Sequence, residues 1–161
     1  MNIRFAEERD IPAMISLLQQ VGEVHHHIRP DIFRAGAQKY DEAALVELLK
    51  DPRRPIFIAD HRGRVLGYCF CILKETSDHP VLEDERTLYI DDLCVDENCR
   101  GQHVGKLLYE HARAYAKEID CHSLTLNVWC GNDSAMAFYE KQGLKPRNIY
   151  METRLEDNDA Q

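Results

Sequence analysis

The stretch from Arg86 to Lys106, RTLYIDDLCVDENCRGQHVGK, constrains this chain more than any other. Thr87 to Val95 reads as a strand, Asp96 to Asn98 as a turn, and Arg100 to Gly105 as a basic, glycine-bearing approach to a helix. From Lys106 to about Ile119, Leu107, Leu108, Ala112, Tyr115, Ala116 and Ile119 recur at helical spacing. The first N–H groups of such a helix have no intrahelical partner and point outward from the positive end of its dipole. A strand that runs into a glycine loop and then a helix mouth is therefore a seat for phosphate. Arg100 and Lys106 add full charges to it. The stretch predicts a phosphate-bearing ligand lying beside a strand edge.

The rest of the chain sharpens that expectation. With 20 basic and 28 acidic residues the net charge is −8, which argues against nucleic acid as a partner. In so acidic a chain a polyanionic ligand must be drawn in by local positive charge, so the cluster from Arg100 to Lys106 carries more meaning than it would in a basic protein. The same balance favours a cationic second substrate. At 161 residues, 44% apolar, one domain spanning 1–161 is expected, with no membrane partner. MNIRFAEERD has no apolar leader region, which places the protein in the cytoplasm. Cys69, Cys71, Cys94, Cys99, Cys121 and Cys130 form no C-x-x-C pair and no zinc spacing, so they read as small buried hydrophobes.

In order, Asn2 to Phe5 is a first strand, and Asp10-Ile11-Pro12 opens a helix that Gly22 is expected to stop. His25-His26-His27 follows. Neighbouring helical residues project about 100° apart, so three in a row cannot all ligate one metal, and no metal is expected. The run is either a polar helix end before Pro30 or part of a pocket wall. Asp41 caps a second helix from Glu42 to Lys50. A hairpin joins Ile56–Asp60 to Val65–Glu75, with Gly67 permitting a close approach. Ser123 to Val128 is a fifth strand, Asp133 to Gln142 a helix ended by Gly143, and Ile149 to Leu155 a closing strand. The acidic segment 156–161 reads as a frayed tail.

Two motifs carry a resemblance. Arg100-Gly101-Gln102-His103-Val104-Gly105 resembles the pyrophosphate loop of the GCN5-related N-acetyltransferases, in which Gln or Arg is followed by two of any residue, Gly, any residue, and Gly or Ala. The run from Asn132 through Ala135, Phe138 and Tyr139 to Gly143-Leu144 resembles that family's second hallmark. The likeness is firm from about Val65 to Leu155 and holds in outline before that. It implies a mixed α/β fold: a twisted, mostly antiparallel sheet of about seven strands with about four helices, the fourth and fifth strands splayed around the ligand. An acceptor-site half would cover about 1–85 and an acetyl-coenzyme A half about 86–155.

The resemblance further implies acetyl transfer from acetyl-coenzyme A to a primary amine by direct attack. Leu93, Cys94 and Val95 would offer main-chain groups to the pantetheine arm, with a backbone N–H near Leu93 facing the thioester oxygen. Arg100, Gly101, Gln102, His103, Val104, Gly105 and Lys106 would hold the diphosphate, and Asn132 would grip the arm from the other side. Asp91 matches the family's base position, with Asp92 beside it. Adjacent strand residues face opposite ways, so one of the two is expected to act. Tyr139 would protonate the leaving thiolate, and lie near the coenzyme. His103 stands where the family usually has glycine. If the loop needs positive φ there, histidine costs more than glycine; if not, its imidazole is free to meet a phosphate. The acceptor reads as a small cationic amine or polyamine, with a protein N-terminus or an aminoglycoside as alternatives. A non-catalytic coenzyme-binding sensor or partner-binding module is the alternative of a different class. Many relatives pair, which makes a homodimer an expectation.

Overall fold

The structure is a computed structural model and describes residues 1–155; the tail expected at 156–161 lies outside the described residues. Its elements run β1 (Asn2–Phe5), α1 (Ile11–Ile28), α2 (Glu42–Leu49), β2 (Ile56–His61), β3 (Arg64–Thr76), β4 (Glu85–Val95), α3 (Val104–Glu118), β5 (Ser123–Leu126) and α4 (Asp133–Lys141). The strands form one sheet in the order β1-β2-β3-β4-β5. The first three pairings are antiparallel, and β5 joins β4 in parallel.

Strand alternation sorts the core into two layers. Phe57, Ala59, Cys69, Cys71, Leu88 and Ile90 meet Val104, Leu108 and Ala112 of α3 on one face. Ile56, Ile58, Tyr68, Phe70 and Cys94 meet Met14, Leu17 and Leu18 of α1 and Leu45 of α2 on the other. Each helix is held by its apolar stripe, so truncating a fully buried member such as Leu108 costs about 2–5 kcal/mol. Gly67 makes the β3–β4 contact possible, because a Cβ there would lie 2.6 Å from the Cys94 carbonyl oxygen. Four of the cysteines (Cys69, Cys71, Cys94 and Cys99) are buried, and all six are free thiols. Among the described residues, no helix is long and apolar enough to cross a membrane.

Three expectations need correction. Five strands are present among the described residues, not about seven. Ile149 to Leu155 pairs with no strand: Ile149, Tyr150, Met151 and Leu155 are exposed, and the segment is tied down by ions, Glu152 to Arg29 and Arg154 to Asp31, with Arg147 paired to Glu85 just before it. Alternating apolar residues are a strand signal only where a sheet edge receives them. Gly22 does not stop α1, which runs on to Ile28. A Cβ at Gly22 would stand 2.9 Å from the Ala37 carbonyl oxygen, so this glycine admits the α1–α2 loop against the helix instead. The stop comes at Arg29, the residue before Pro30.

Candidate active site

The site lies where β4 outlives its neighbour. Pairing with β5 covers Thr87 to Ile90 and then ends, while β4 continues to Val95. Because β5 ends at Leu126, one edge of Asp91 to Val95 is left without a strand among the described residues.

At the base of that opening the β3–β4 register slips between Phe70 and Cys71, so that Asp91 is an extra residue in β4. A bulge of this kind re-aims side chains. Leu88 and Ile90 face α3 before it, and Leu93 and Val95 do so after it. Cys94 packs on the α1–α2 side, and so must Asp92, two residues earlier. Asp91, next to Ile90, points to that side as well. The two carboxylates therefore share a face, contrary to the expectation from simple alternation.

Their environments differ. Asp92 accepts a 2.7 Å hydrogen bond from the hydroxyl of Tyr68, which is fully buried. Burial lifts the Asp92 pKa to about 6, although Tyr68 and the nearby Lys39 charge pull the other way. Asp91 accepts a 2.6 Å charge-assisted bond from Lys39 Nζ, which reaches it from the α1–α2 loop. For Lys39, burial lowers the pKa, but the bond to and charge of Asp91 overcome it and leave the ammonium above its ordinary value. Neither Tyr68 nor Lys39 is marked by any local pattern. Tyr68 reads as one more core aromatic, and Lys39 as one more loop lysine.

The same loop supplies an aromatic wall. His25 lies 4.9 Å from Phe33 between ring centroids, Phe33 meets Trp129 edge-on at 5.0 Å, and Tyr40 stacks on Phe70 at 5.9 Å. Burial, then the Lys39 charge, lowers the His25 pKa and keeps the imidazole neutral at pH 7. The three histidines thus part company. His25 joins the wall, His26 Nδ1 lies 2.7 Å from the Phe33 carbonyl oxygen, and His27 lines a groove of about 420 Å³ that Arg100 also borders. Among the described residues no three His, Cys, Asp or Glu side chains gather as metal ligands would.

At the far end of β4, α3 begins on buried Val104. Among the described residues, none of the backbone N–H groups from Gly101 to Lys106 donates to a protein acceptor. These amides, with exposed Arg100, Gln102 and Lys106 around them, are the donor set a diphosphate requires, so the residues present fit coenzyme A. Gly101 has φ +76° and His103 φ +62°. His103 thus occupies the left-handed conformation at the N-cap of α3, where a side chain costs about 1–2 kcal/mol. Val95 and Gly105 line the approach, with the Phe138 ring close to where a Cβ on Gly105 would be.

Asn132 caps α4, its Oδ1 accepting from the Ala135 N–H at 3.3 Å, so its carbonyl is engaged in holding the helix start. Tyr139 packs edge-on against Phe138 and Tyr109. Burial raises its pKa, and the phenol keeps its proton. Burial also pushes Cys94 up to about 12, and its Sγ points at the Leu17 carbonyl oxygen, so it is no nucleophile.

Comparison with known proteins bears on this arrangement. Residues 21–144 match the profile of the Acetyltransferase (GNAT) family. A variant of the BH1408 protein from Bacillus halodurans has the same fold, with a TM-score of 0.92 and 31% identity over 97% of this chain and 100% of that one. The peptidyl-lysine N-acetyltransferase YjaB of Salmonella typhimurium is 28% identical over 90% of this chain and 83% of its own length. A Bacillus subtilis protein, whose name gives ribosomal protein bS18-alanine N-acetylation as a provisional activity, is 29% identical over 64% of this chain and 62% of its own length.

Proposed function

Because the chain belongs to the acetyltransferase (GNAT) family, we propose that it moves an acetyl group from acetyl-coenzyme A to a primary aliphatic amine by direct attack. The observation that carries this reading is the bulge at Asp91, which sets two carboxylates on one face beside the open edge of β4. The free amides from Gly101 to Lys106, with Arg100 and Lys106, anchor the diphosphate at one end of that edge. Main-chain groups of Leu93, Cys94 and Val95 then guide the pantetheine arm toward the carboxylates. Holding donor and acceptor together turns a bimolecular encounter into a nearly intramolecular step.

The acceptor must lose a proton before it can attack. An amine of pKa about 10.4 is charged at pH 7, and freeing its lone pair costs about 4.6 kcal/mol. Asp92 is the better base of the pair. Its pKa of about 6 leaves it ionised at neutral pH yet more basic than an ordinary carboxylate. Tyr68 orients it through the 2.7 Å bond. Asp91 supplies a negative charge that holds the incoming ammonium. Tyr139, still protonated, gives its proton to the departing thiolate and recovers one from the amine through solvent.

Lys39 offsets one of the two negative charges. What remains suits a single alkylammonium, such as a small cationic amine or a lysine side chain, better than a polycation. The lysine-directed activity named for YjaB points the same way. A panel of a diamine, a polyamine, a lysine peptide, a peptide with a free N-terminus and an aminoglycoside, assayed by thiol release from acetyl-coenzyme A, tests the proposal. Turnover of one amine class that collapses in Asp92→Asn is the expected result. Tight coenzyme binding without turnover of any amine would overturn it in favour of a binding module.

A further inference from the structure

We propose that Lys39 is itself an acceptor, and that the protein acetylates this residue within its own chain. The inference rests on the acetyl-transfer reading above. It begins from a coincidence of position: the ε-amine of Lys39 occupies the place on Asp91 that an alkylammonium substrate would take, at 2.6 Å. Lysine is chemically the acceptor class that the site favours.

The residue is delivered there by its backbone. The α1–α2 loop touches α1 at Gly22, where the Ala37 carbonyl leaves no room for a Cβ. Gln38 fastens the loop on both sides of Lys39, accepting from Gln19 Nε2 at 3.2 Å and donating to the Tyr40 carbonyl at 2.6 Å. Tyr40 is in turn stacked on Phe70 of β3, whose register partner is Asp92. A lysine clamped between such neighbours has a short list of directions to point. Its side chain is nonetheless 46% exposed, so the amine can leave Asp91 and swing toward a thioester on the adjoining strand edge. Lys50 and Lys106 differ in this respect: each meets a glutamate of its own helix or helix end, Glu47 and Glu110.

The step balances without a further reactant. One ammonium proton passes to the carboxylates, and the freed lone pair of Nζ attacks the thioester carbon. The N–C bond forms, the C–S bond breaks, and the second proton lost from nitrogen ends on the thiolate. Acetyl-coenzyme A becomes free thiol, Lys39 becomes Nε-acetyl-lysine, and one proton is released to solvent. The product has no positive charge, so its pairing with Asp91 ends and that carboxylate is exposed to outside amines.

The test is to incubate the full chain with acetyl-coenzyme A and no added amine, and to follow each lysine by peptide mass spectrometry. Lys39 is expected to acetylate on the order of 10²-fold faster than Lys50, because its amine is held at the site. The fractional rate should not change when the protein is diluted tenfold, as an intramolecular step requires. Lys39→Arg, which keeps the charge, should abolish that fast label, and Asp91→Asn should slow it. Equal labelling of Lys39 and Lys50, or a rate that falls with dilution, would overturn the inference. Turnover of an amine from the panel while Lys39 stays unmodified would overturn it and leave the acetyltransferase reading standing. Silence in both assays would bring down that reading, and this one with it.

Discussion

The two ends of the β4 edge are built from different materials. At the α3 mouth the working groups are main-chain amides, placed by a glycine loop and by the burial of Val104. At the bulge they are side chains from separated segments: Lys39 from a loop, Tyr68 from β3, Asp91 and Asp92 from β4. The amides stand without protein partners, whereas every one of these side chains is already engaged with another. A main-chain seat tolerates substitution of its side chains and fails through its backbone. A seat of side chains fails when any member is cut. The donor end should therefore respond weakly to mutation and the acceptor end strongly.

Asp92→Asn puts the largest weight on that contrast. Loss of the base should lower kcat/KM by about 10²–10⁴-fold. In the wild type, activity should fall as pH drops through about 6, where Asp92 takes up a proton, and that limb should vanish from any residual rate of the variant. Stability should move in the opposite sense. The folded pKa of about 6 lies above the ordinary value of 3.8, so the stability that the neutral carboxyl allows is complete below about pH 4 and is lost as pH rises through about 6. Asparagine escapes that loss, and chemical denaturation at pH 7 should show a gain of up to about 3 kcal/mol. A variant both inactive and less stable would break the assignment of Asp92 as a strained base.

Tyr139→Phe follows, with an expected fall in kcat of about 10²-fold and little change in KM for either substrate. The ring packing against Phe138 and Tyr109 survives the change, so a loss of Tm would instead mark a structural residue. Gly101→Val then probes the backbone seat. At φ +76° a β-branched side chain costs about 1–2 kcal/mol, and KM for acetyl-coenzyme A should rise about tenfold with kcat nearly unchanged. His103→Gly is the smallest. Relief of the left-handed backbone is partly offset by the freedom glycine has when unfolded, so the net effect should be a gain of no more than about 1.5 kcal/mol. A loss of stability would mean that the imidazole does more than fill the N-cap position.

The same division decides what could be read in advance. The α3 mouth is written in consecutive residues, and its loop, helix and free amides all follow from the stretch Arg100 to Lys106. Gly143 is legible for the same reason, since it follows the last turn of α4 and takes φ +90° there. Lys39 and Asp91 are 52 positions apart and meet only because the loop is clamped, which no local pattern reports. The Asp91 bulge was hidden too, because two consecutive aspartates in a strand look like ordinary alternation until the register against Phe70 and Cys71 is known. The closing strand failed for a complementary reason. The pattern from Ile149 to Leu155 is that of a strand, but a pattern cannot supply the edge it would join.

One surplus residue in β4 bears on how that strand can vary. Everything from Asp92 to Val95 is out of phase with the half of the strand before it, like a sentence shifted by one letter. Excising Asp91 would restore the beat and leave Leu93, Cys94 and Val95 on the faces they hold now, because Ile90 and Asp92 already face consecutive residues of β3. What the strand would lose is the second carboxylate, and with it the acceptor for Lys39. Homologous strands should therefore be able to shed the surplus residue and keep the fold, but not the paired acids.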